Sequence, residues 1–499
     1  MSSKKFRPRS KGNLSHHKRP YPGATSRAIV RSLIASAVTI GVAAGISQCK
    51  SENSKDPTNR SMAAGTSAGL PVKSENCAVP IVEIAAYAGS FKVGSGAEWQ
   101  SAKDVIVHTP GEEIFAGVIH PDAALFEKPF SLEGARKEHD QFICLMKSRG
   151  LRVFRLTDIL MAGTIDDNGR KVQGKALAEL QELAGKYLNY DTSGLPADLR
   201  NRQEDYRKSV LKELHPRELV KIIFQKPTVK LVSTGSHNTG LKASYTFDPV
   251  MNHYFMRDQV ITTAKGIVVG KFNAAQRDVE TQIATFAYKK LGIKPIYEIK
   301  GDGRLEGGDF LPAGETAFLG QGLRTNAEAV SQLLSADAFG TKRVVIVKDP
   351  WQNQVQMHLD TYFNIANSKL AMMVEDRMDL KDASGRIIKA ADPKKKPTAD
   401  VYELIGGQYK IVEKDIEFQG YLEKTLGYKI LPASIDDQLK YGLNFLTVKA
   451  DEILAIDGVS QEYKDRIKAA GVNATWMTFG NLTSGYGAAH CTTQVIRRE

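Results

Sequence analysis

The sequence predicts an α/β protein. From about Pro80 onward, short apolar runs alternate with stretches of helical period, and Gly or Pro marks the junctions. Strands feeding helices give this pattern. With 499 residues, 42% of them hydrophobic, the chain can bury a large core. "DVIVHTPG" reads as a strand ended by Pro-Gly, and "EGARKEHDQFICLMKSRG" as a helix stopped by Gly. "LRVFRL" is the next strand. "QRDVETQIATFAYKKLGI" is a helix leading into the strand "KPIYEI", and "RVVIV" is a further strand. Between about Thr157 and Thr246 the pattern changes to charged helical segments, "GKALAELQELAGKYLNY", "PADLRNRQEDYRKSVLKEL" and "PRELVKIIF". Residues 157–246 are therefore expected to form a helical insertion within the α/β body, since strand-like sequence resumes after them. No repeat of solenoid period is present. The Lys394–Lys396 run sits among Pro, Asp and Thr and reads as an exposed loop.

The formal charge of +12 raises the question of nucleic acid, but residues 1–31 contain nine Lys and Arg and no acid. Most of the excess lies in this leader, so a targeting flank is favoured over a nucleic-acid arm. Residues 32–47 are apolar and rich in small side chains. That is short for a bilayer span, which needs ~20 residues, and suits a signal-peptide core. The segment ends at Cys49, preceded by Ile46, Ser47 and Gln48, and is similar to a bacterial lipoprotein cleavage site in which the cysteine is lipidated. Gln48 departs from the usual small residue. An uncleaved signal anchor and a buried helix of a cytoplasmic protein are the alternatives. The expectation is a protein exported to a bacterial envelope and anchored there through its N-terminus. Residues 50–75 are polar and read as a tether, so residues 1–75 stand apart from a folded domain at 76–499. Should Cys49 carry a lipid, Cys77, Cys144 and Cys491 remain, an odd number that leaves one thiol free unless chains pair. No CxxC zinc pattern occurs.

Four stretches carry chemistry. In "VQMHLDTYFNIA" apolar and polar residues alternate. A β-strand would put His358 and Asp360 on one face, ~7 Å apart, suited to acid–base work or simply to solvent. In "GDGRLEGGDFLPAG" paired glycines allow close approach between Glu306 and Asp309, and no Lys-Ser/Thr follows to make a phosphate loop. In "DPVMNHYFMRDQVITT" Asp258 opens an apolar strand, with Arg257 beside it as a structural partner. In "GYGAAHCTTQ" small residues leave room at the backbone ahead of His490 and Cys491. A lone cysteine is most often a small hydrophobe. With His358 and Glu306, however, Cys491 would complete a nucleophile, acid/base and orienting carboxylate. A His/Asp metal site ranks lower, because no second histidine has ligand spacing.

Together these stretches resemble the guanidino-group-modifying enzymes, and within them the arginine deiminase family. "NHYFMRD", "RLEGGDF", "MHLDT" and "GAAHC" occur in the family's order, with "VHTPGEE", "LFEKPF", "EGARKEHDQF", "RDVET" and "GQGLRTN" around them, over most of residues 95–499. The resemblance implies a fivefold pseudosymmetric α/β propeller with a central site, and a helical insertion at 157–246 that smaller relatives lack. It implies that L-arginine is hydrolysed to citrulline and ammonia without a cofactor or metal. Cys491 would be the nucleophile forming an S-alkylthiouronium. Asp258 and Asp360 would grip the guanidinium, His358 would shuttle protons and Glu306 would orient it. Asn252, Phe255, Arg277, Asp309 and Arg324 would bind the substrate, with both arginines on its carboxylate. Tyr486 stands where some arginine deiminases have an arginine. Another guanidine (peptidyl arginine or agmatine), an amidinotransferase reaction and a non-catalytic arginine-binding role are the alternatives. The oligomeric state, a homo-oligomer included, is left open.

Overall fold

The structure is a computed structural model that describes residues 77–234 and 240–499. The basic leader, the apolar segment with Cys49 and the tether fall outside the described residues. The chain is a mixed α/β protein, as its alternating pattern predicts. Five sheets repeat one plan: an antiparallel strand pair, then a crossover to a third strand parallel to the second. Val260–Thr263 and Gly266–Val269 form the pair in one sheet, and Asp278–Lys290 crosses over to Tyr297–Glu298. Phe310–Ala313 and Thr316–Gln321 repeat this, crossing by Ala327–Ser335 to Arg343–Lys348. Phe363–Asn367, Leu370–Val374 and Lys429–Ala433 form the next. Leu446–Lys449, Glu452–Ile456 and Asn473–Met477 follow, with Gln461–Ala469 as crossover. The last sheet joins distant segments. Gln494–Arg498 runs antiparallel to Ala102–Val107, which crosses by Leu132–Ser148 to the parallel Arg152–Arg155.

Most of these strands are covered on both faces. Every residue of Val260–Thr263, Gly266–Val269 and Leu370–Val374 is buried, so they read as continuous apolar runs rather than alternations. The third sheet's crossover is long, and residues within it add the strands Thr398–Ile405 and Gln408–Glu417 to the edge at Arg343–Lys348. The Lys394–Lys396 loop precedes them. There Lys395 and Lys396 are paired with Asp376 and Asp379.

Residues 157–246 hold most of the helix Leu156–Met161, then Lys175–Tyr187, Ala197–Glu213 and Pro216–Gln225. They also hold Asn189–Gly194 and Pro227–Ser233, which with Leu241–Phe247 form a separate three-stranded sheet. The helical reading of this stretch therefore misses a sheet. Its strands have few buried positions and thus little apolar period. Leu219, Val220, Ile223 and Phe224 pack with Leu177, Leu180 and Leu183 in one apolar cluster. That burial, more than propensity, keeps these helices folded.

Cys77 and Cys144 form a disulfide, which leaves Cys491 free and buried. Cys49, on which the count of three depends, lies outside the described residues.

Candidate functional site

The site residues share one structural address. Asp258 precedes the strand Val260–Thr263, Glu306 precedes Phe310–Ala313, and His358 and Asp360 precede Phe363–Asn367. Asn444 precedes Leu446–Lys449, and Cys491 precedes Gln494–Arg498. Each of the five sheets thus delivers chemistry from the turn before the first strand of its antiparallel pair. Such turns present side chains without interrupting a ladder.

The stretch around His358 is not the strand its alternation predicts. His358 caps a helical turn, Leu359–Tyr362, and the strand starts only at Phe363. The cause is local. Thr361 Oγ1 donates to the His358 carbonyl at 2.6 Å, and Asp309 Oδ1 accepts from the Leu359 N–H at 2.9 Å. These side-chain bonds satisfy the turn and override the two-residue period. Asp309 is therefore a support behind the turn and does not line the cavity. Burial pushes its carboxyl up to about 7, against the pull of His358.

Close approach sets the glycines. A Cβ on Gly308 would lie 2.6 Å from His358 Nδ1, and one on Gly307 would lie 2.0 Å from the Arg257 carbonyl oxygen. In the cysteine loop, a Cβ on Gly485 would meet the Tyr254 hydroxyl at 1.8 Å, and one on Gly487 would meet Phe255 at 2.4 Å. The small residues of "GYGAAHC" are thus required by packing.

Cys491 is 4% exposed. Its Sγ lies 3.7 Å from Asp360 Oδ2 and accepts from Asn444 Nδ2 at 3.1 Å. Burial first, and then the charges of Asp360 and Asp258, push its thiol pKa far up; the Ala488 backbone and Asn444 pull weakly the other way. The resting Cys491 side chain is a protonated thiol.

The two aspartates are arranged alike. Asp360 Oδ2 accepts from His490 Nδ1 at 2.7 Å, and Asp258 Oδ2 accepts from Arg277 Nη1 at 2.9 Å. The Oδ1 atoms of both are buried without a hydrogen-bond partner. Burial pushes the Asp258 carboxyl up despite Arg277 and His358. For Asp360 burial acts the same way but is outweighed by His490, which holds it low. Two unpaired buried carboxylate oxygens are costly unless something with N–H groups comes between them.

His358 Nε2 lies 3.0 Å from Glu306 Oε2. Burial alone would lower this imidazole's pKa, yet Asp258, Glu306 and Asp309 hold it up at about 9. Glu306, despite burial, is held down at about 2 by His358, Arg324 and Arg277. Facing atoms of Asp258, Glu306 and His358 all lie within 4.8 Å of one another, as metal ligands would. Within the trio the His358–Glu306 contact is a hydrogen-bond pair, while Asp258 Oδ1 has no hydrogen-bond partner.

Asn252, Phe255, Arg277, Arg324 and Tyr486 line the same small cavity as Asp258, His358 and Cys491. Arg277 is committed elsewhere, with Nε and Nη2 forming a fork on Glu280 at 2.8 Å each. It pairs with Asp258 in place of Arg257, whose Nε instead donates to the His490 carbonyl at 3.2 Å. Arg324 Nη2 donates to Gln354 at 2.8 Å, and its buried Nε has no partner. Asn252 Nδ2 donates to the Ala124 carbonyl at 2.8 Å. The cavity holds only ≈ 20 Å³, room for about one water. Leu125 (φ 59°) and Tyr486 (φ 71°), both in the left-handed region, stand at its wall. A larger cavity of ≈ 630 Å³, lined by Trp99, Gly314, Lys342, Lys369 and Tyr428, contains none of the reactive groups.

Sequence reasoning missed Asn444, whose Oδ1 accepts from the Ala488 and Cys491 N–H groups at 3.0 and 3.1 Å. A lone Asn inside the apolar run "GLNFL" was the available signal. Glu280 and His490 were missed in the same way, as partners of the groups that were found.

Fold and site together define an α/β protein with a buried thiol facing two carboxylates and an imidazolium–glutamate pair. The chain belongs to the arginine deiminase family, whose profile matches residues 122–498. The family's members are hydrolases acting on guanidino C–N bonds. The chain is 27% identical to an arginine deiminase of Halobacterium salinarum over 82% of this chain and 97% of that one. It is 24% identical to an arginine deiminase of Rhodococcus erythropolis over 82% and 98%. Among solved structures, an amidinotransferase of saxitoxin biosynthesis from Microseira wollei aligns over 82% of this chain and 97% of that one, with a TM-score of 0.45 and 16% identity.

Proposed function

We propose that this protein hydrolyses L-arginine to L-citrulline and ammonia through an S-alkylthiouronium on Cys491. One observation carries the reading: the thiol shares a small cavity with Asp258 and lies 3.7 Å from Asp360 Oδ2, and the Oδ1 atoms of both aspartates are buried without a partner. A guanidinium between the aspartates donates N–H groups to both, in charge-assisted bonds. Its positive charge offsets the carboxylates that suppress thiol ionisation, so Cys491 becomes a thiolate only when substrate is bound, its proton passing to solvent. The thiolate attacks the guanidinium carbon. Protonated His358 gives its proton to the departing nitrogen, the C–N bond breaks and ammonia leaves. Neutral His358 then takes a proton from water as the oxygen bonds to the same carbon; the C–S bond breaks and the thiolate returns, and the remaining hydroxyl proton passes to solvent as the citrulline carbonyl forms. Glu306 fixes the imidazole through both steps.

The free Arg324 Nε supports a substrate carrying a carboxylate, which agmatine lacks. The disulfide Cys77–Cys144 supports export, since such bonds persist in oxidising compartments. In this reading the five sheets close into the pseudosymmetric propeller expected from the family. The test is citrulline formation from arginine by the full chain, beside Cys491→Ala and with EDTA. Citrulline in the wild type alone, indifferent to EDTA, is expected. No citrulline would overturn the substrate, and turnover by Cys491→Ala would overturn the covalent route.

A further inference from the structure

Behind the aspartate nearest the thiol runs a buried chain of charged groups that the reaction as written does not use. His490 Nδ1 lies 2.7 Å from Asp360 Oδ2. A carboxylate only accepts, so Nδ1 carries the proton. On the ring's far side Nε2 faces Glu98 Oε1 at 3.7 Å. Glu98 Oε2 takes Arg498 Nη2 at 2.6 Å, and Arg257 Nη1 stands 3.9 Å from Oε1. Arg498 is held in turn by the Gln100 and Thr447 carbonyls at 2.9 and 2.8 Å. All five side chains are nearly or fully buried. Solvent cannot orient such groups, and burying this many charges is tolerated only when each is paired.

We propose that His490 is a positioning residue of the reaction. It holds one Asp360 oxygen against the cysteine loop so that the other alone meets the guanidinium, and Glu98, anchored by Arg498, stands behind the imidazole at 3.7 Å as a charge partner. The inference rests on the guanidinium-binding reading of Asp360. Two geometric facts favour it over mere core filling. His490 engages the Asp360 oxygen already within 3.7 Å of the thiol, and Asp360 Oδ1 is left unpaired. With His490 removed, Asp360 can rotate, and either oxygen or neither meets the substrate. The charged and titratable neighbours of Asp360 are His490 and Cys491 from the cysteine loop, His358 from its own turn and Arg257 from the segment before Val260. His490 at 2.7 Å makes the shorter of the two side-chain hydrogen bonds to Asp360 Oδ2, the other coming from the Cys491 thiol at 3.7 Å, and it helps keep Asp360 ionised.

The experiment compares wild type, His490→Asn, His490→Gln and Glu98→Gln in the full chain. Asn places its amide N–H near the position of Nδ1; Gln places it near that of Nε2. With thermal unfolding checked for each variant, His490→Gln is expected to lose kcat/KM for arginine by ~100-fold, the scale of a misplacement of about 1 Å. His490→Asn should recover most of it. The acid limb of the pH profile should move to higher pH in His490→Gln, as Asp360 loses its donor, and stay near the wild-type position in His490→Asn. The same profiles are taken for Cys491 alkylation by 2-chloroacetamidine, an amidinium that needs ionised Asp360 but no turnover. This separates failure of the inference from failure of the substrate assignment. Glu98→Gln should fall between the two histidine variants in both readouts. A folded His490→Gln with the kcat/KM, turnover limb and alkylation limb of wild type would overturn the proposal. So would equal losses in His490→Asn and His490→Gln with no movement of either limb.

Discussion

At the residue scale, the site is decided by a few hard contacts. Gly308 has no room for a methyl group, because its Cβ would stand 2.6 Å from His358 Nδ1. Gly308→Ala should therefore cost about 1–3 kcal/mol of stability through overpacking and, on the proposed role of His358, lower kcat ~100-fold through a displaced imidazole. Steady-state kinetics with a melting curve checks both halves. Cys491→Ser should remain folded and lose at least ~1,000-fold in kcat, since an alcohol in this acidic setting will not ionise. Much of this was legible in the sequence. His358, Glu306, Asp258, Asp360 and Cys491 sit in short motifs that singly read as turns, solvent faces or core, and it is their order, resembling that of a family, that singles them out. The groups that hold them were not legible. His490 and Glu98 are 392 positions apart in number yet adjacent in space, and no local pattern records such a pairing.

At the element scale, the turns matter more than the strands. The alternation in "VQMHLDTYFNIA" has strand period, yet side-chain hydrogen bonds from Thr361 and Asp309 make its middle a helical turn. Periodicity reports which residues are buried, and here both faces are buried, so the period lost its meaning. Asn444 shows the same dependence on context. Replacing it with Ala leaves the buried Ala488 and Cys491 N–H groups without their acceptor, a cost of about 1–3 kcal/mol for each buried group left unsatisfied. Asn444→Ala should lower the denaturant midpoint and also slow alkylation of Cys491 through a displaced loop. The Cys77–Cys144 bond spans 67 residues. Opening it by Cys77→Ala should cost about 2–4 kcal/mol, read by denaturant titration under oxidising conditions.

At the scale of the whole molecule, five sheets of one plan each give one turn to the site, and Asn444 occupies the address that the family motifs left blank. The alternation of strands and helices was readable because each sheet is built locally. The pairing of Gln494–Arg498 with Ala102–Val107 was not, since it joins remote segments. Charge burial also sets how stability responds to pH. Burial, reinforced by Arg155 and His108, lowers His139 from 6.5 to about 3. Below pH 6.5 the unfolded chain takes up that proton and the folded chain does not, so this contribution falls on acidification. Asp309, raised to about 7, acts oppositely between 3.8 and 7, so a variant is the proper reference. Between pH 7 and pH 5 the stability of wild type relative to His139→Asn should drop by about 2 kcal/mol. His358, raised to about 9, contributes fully below 6.5 and loses that contribution as pH climbs through 9. Urea titrations at pH 5, 7 and 9.5 check both windows.

The small cavity bears on how the protein ages. Oxidants such as peroxide attack a thiolate, and Cys491 at rest is a protonated thiol, 4% exposed, beside a cavity with room for about one water. Resting protein should therefore survive peroxide far longer than an exposed cysteine does. Its vulnerable moments should be confined to the brief openings that let substrate in and product out, so oxidative wear would count turnovers rather than hours.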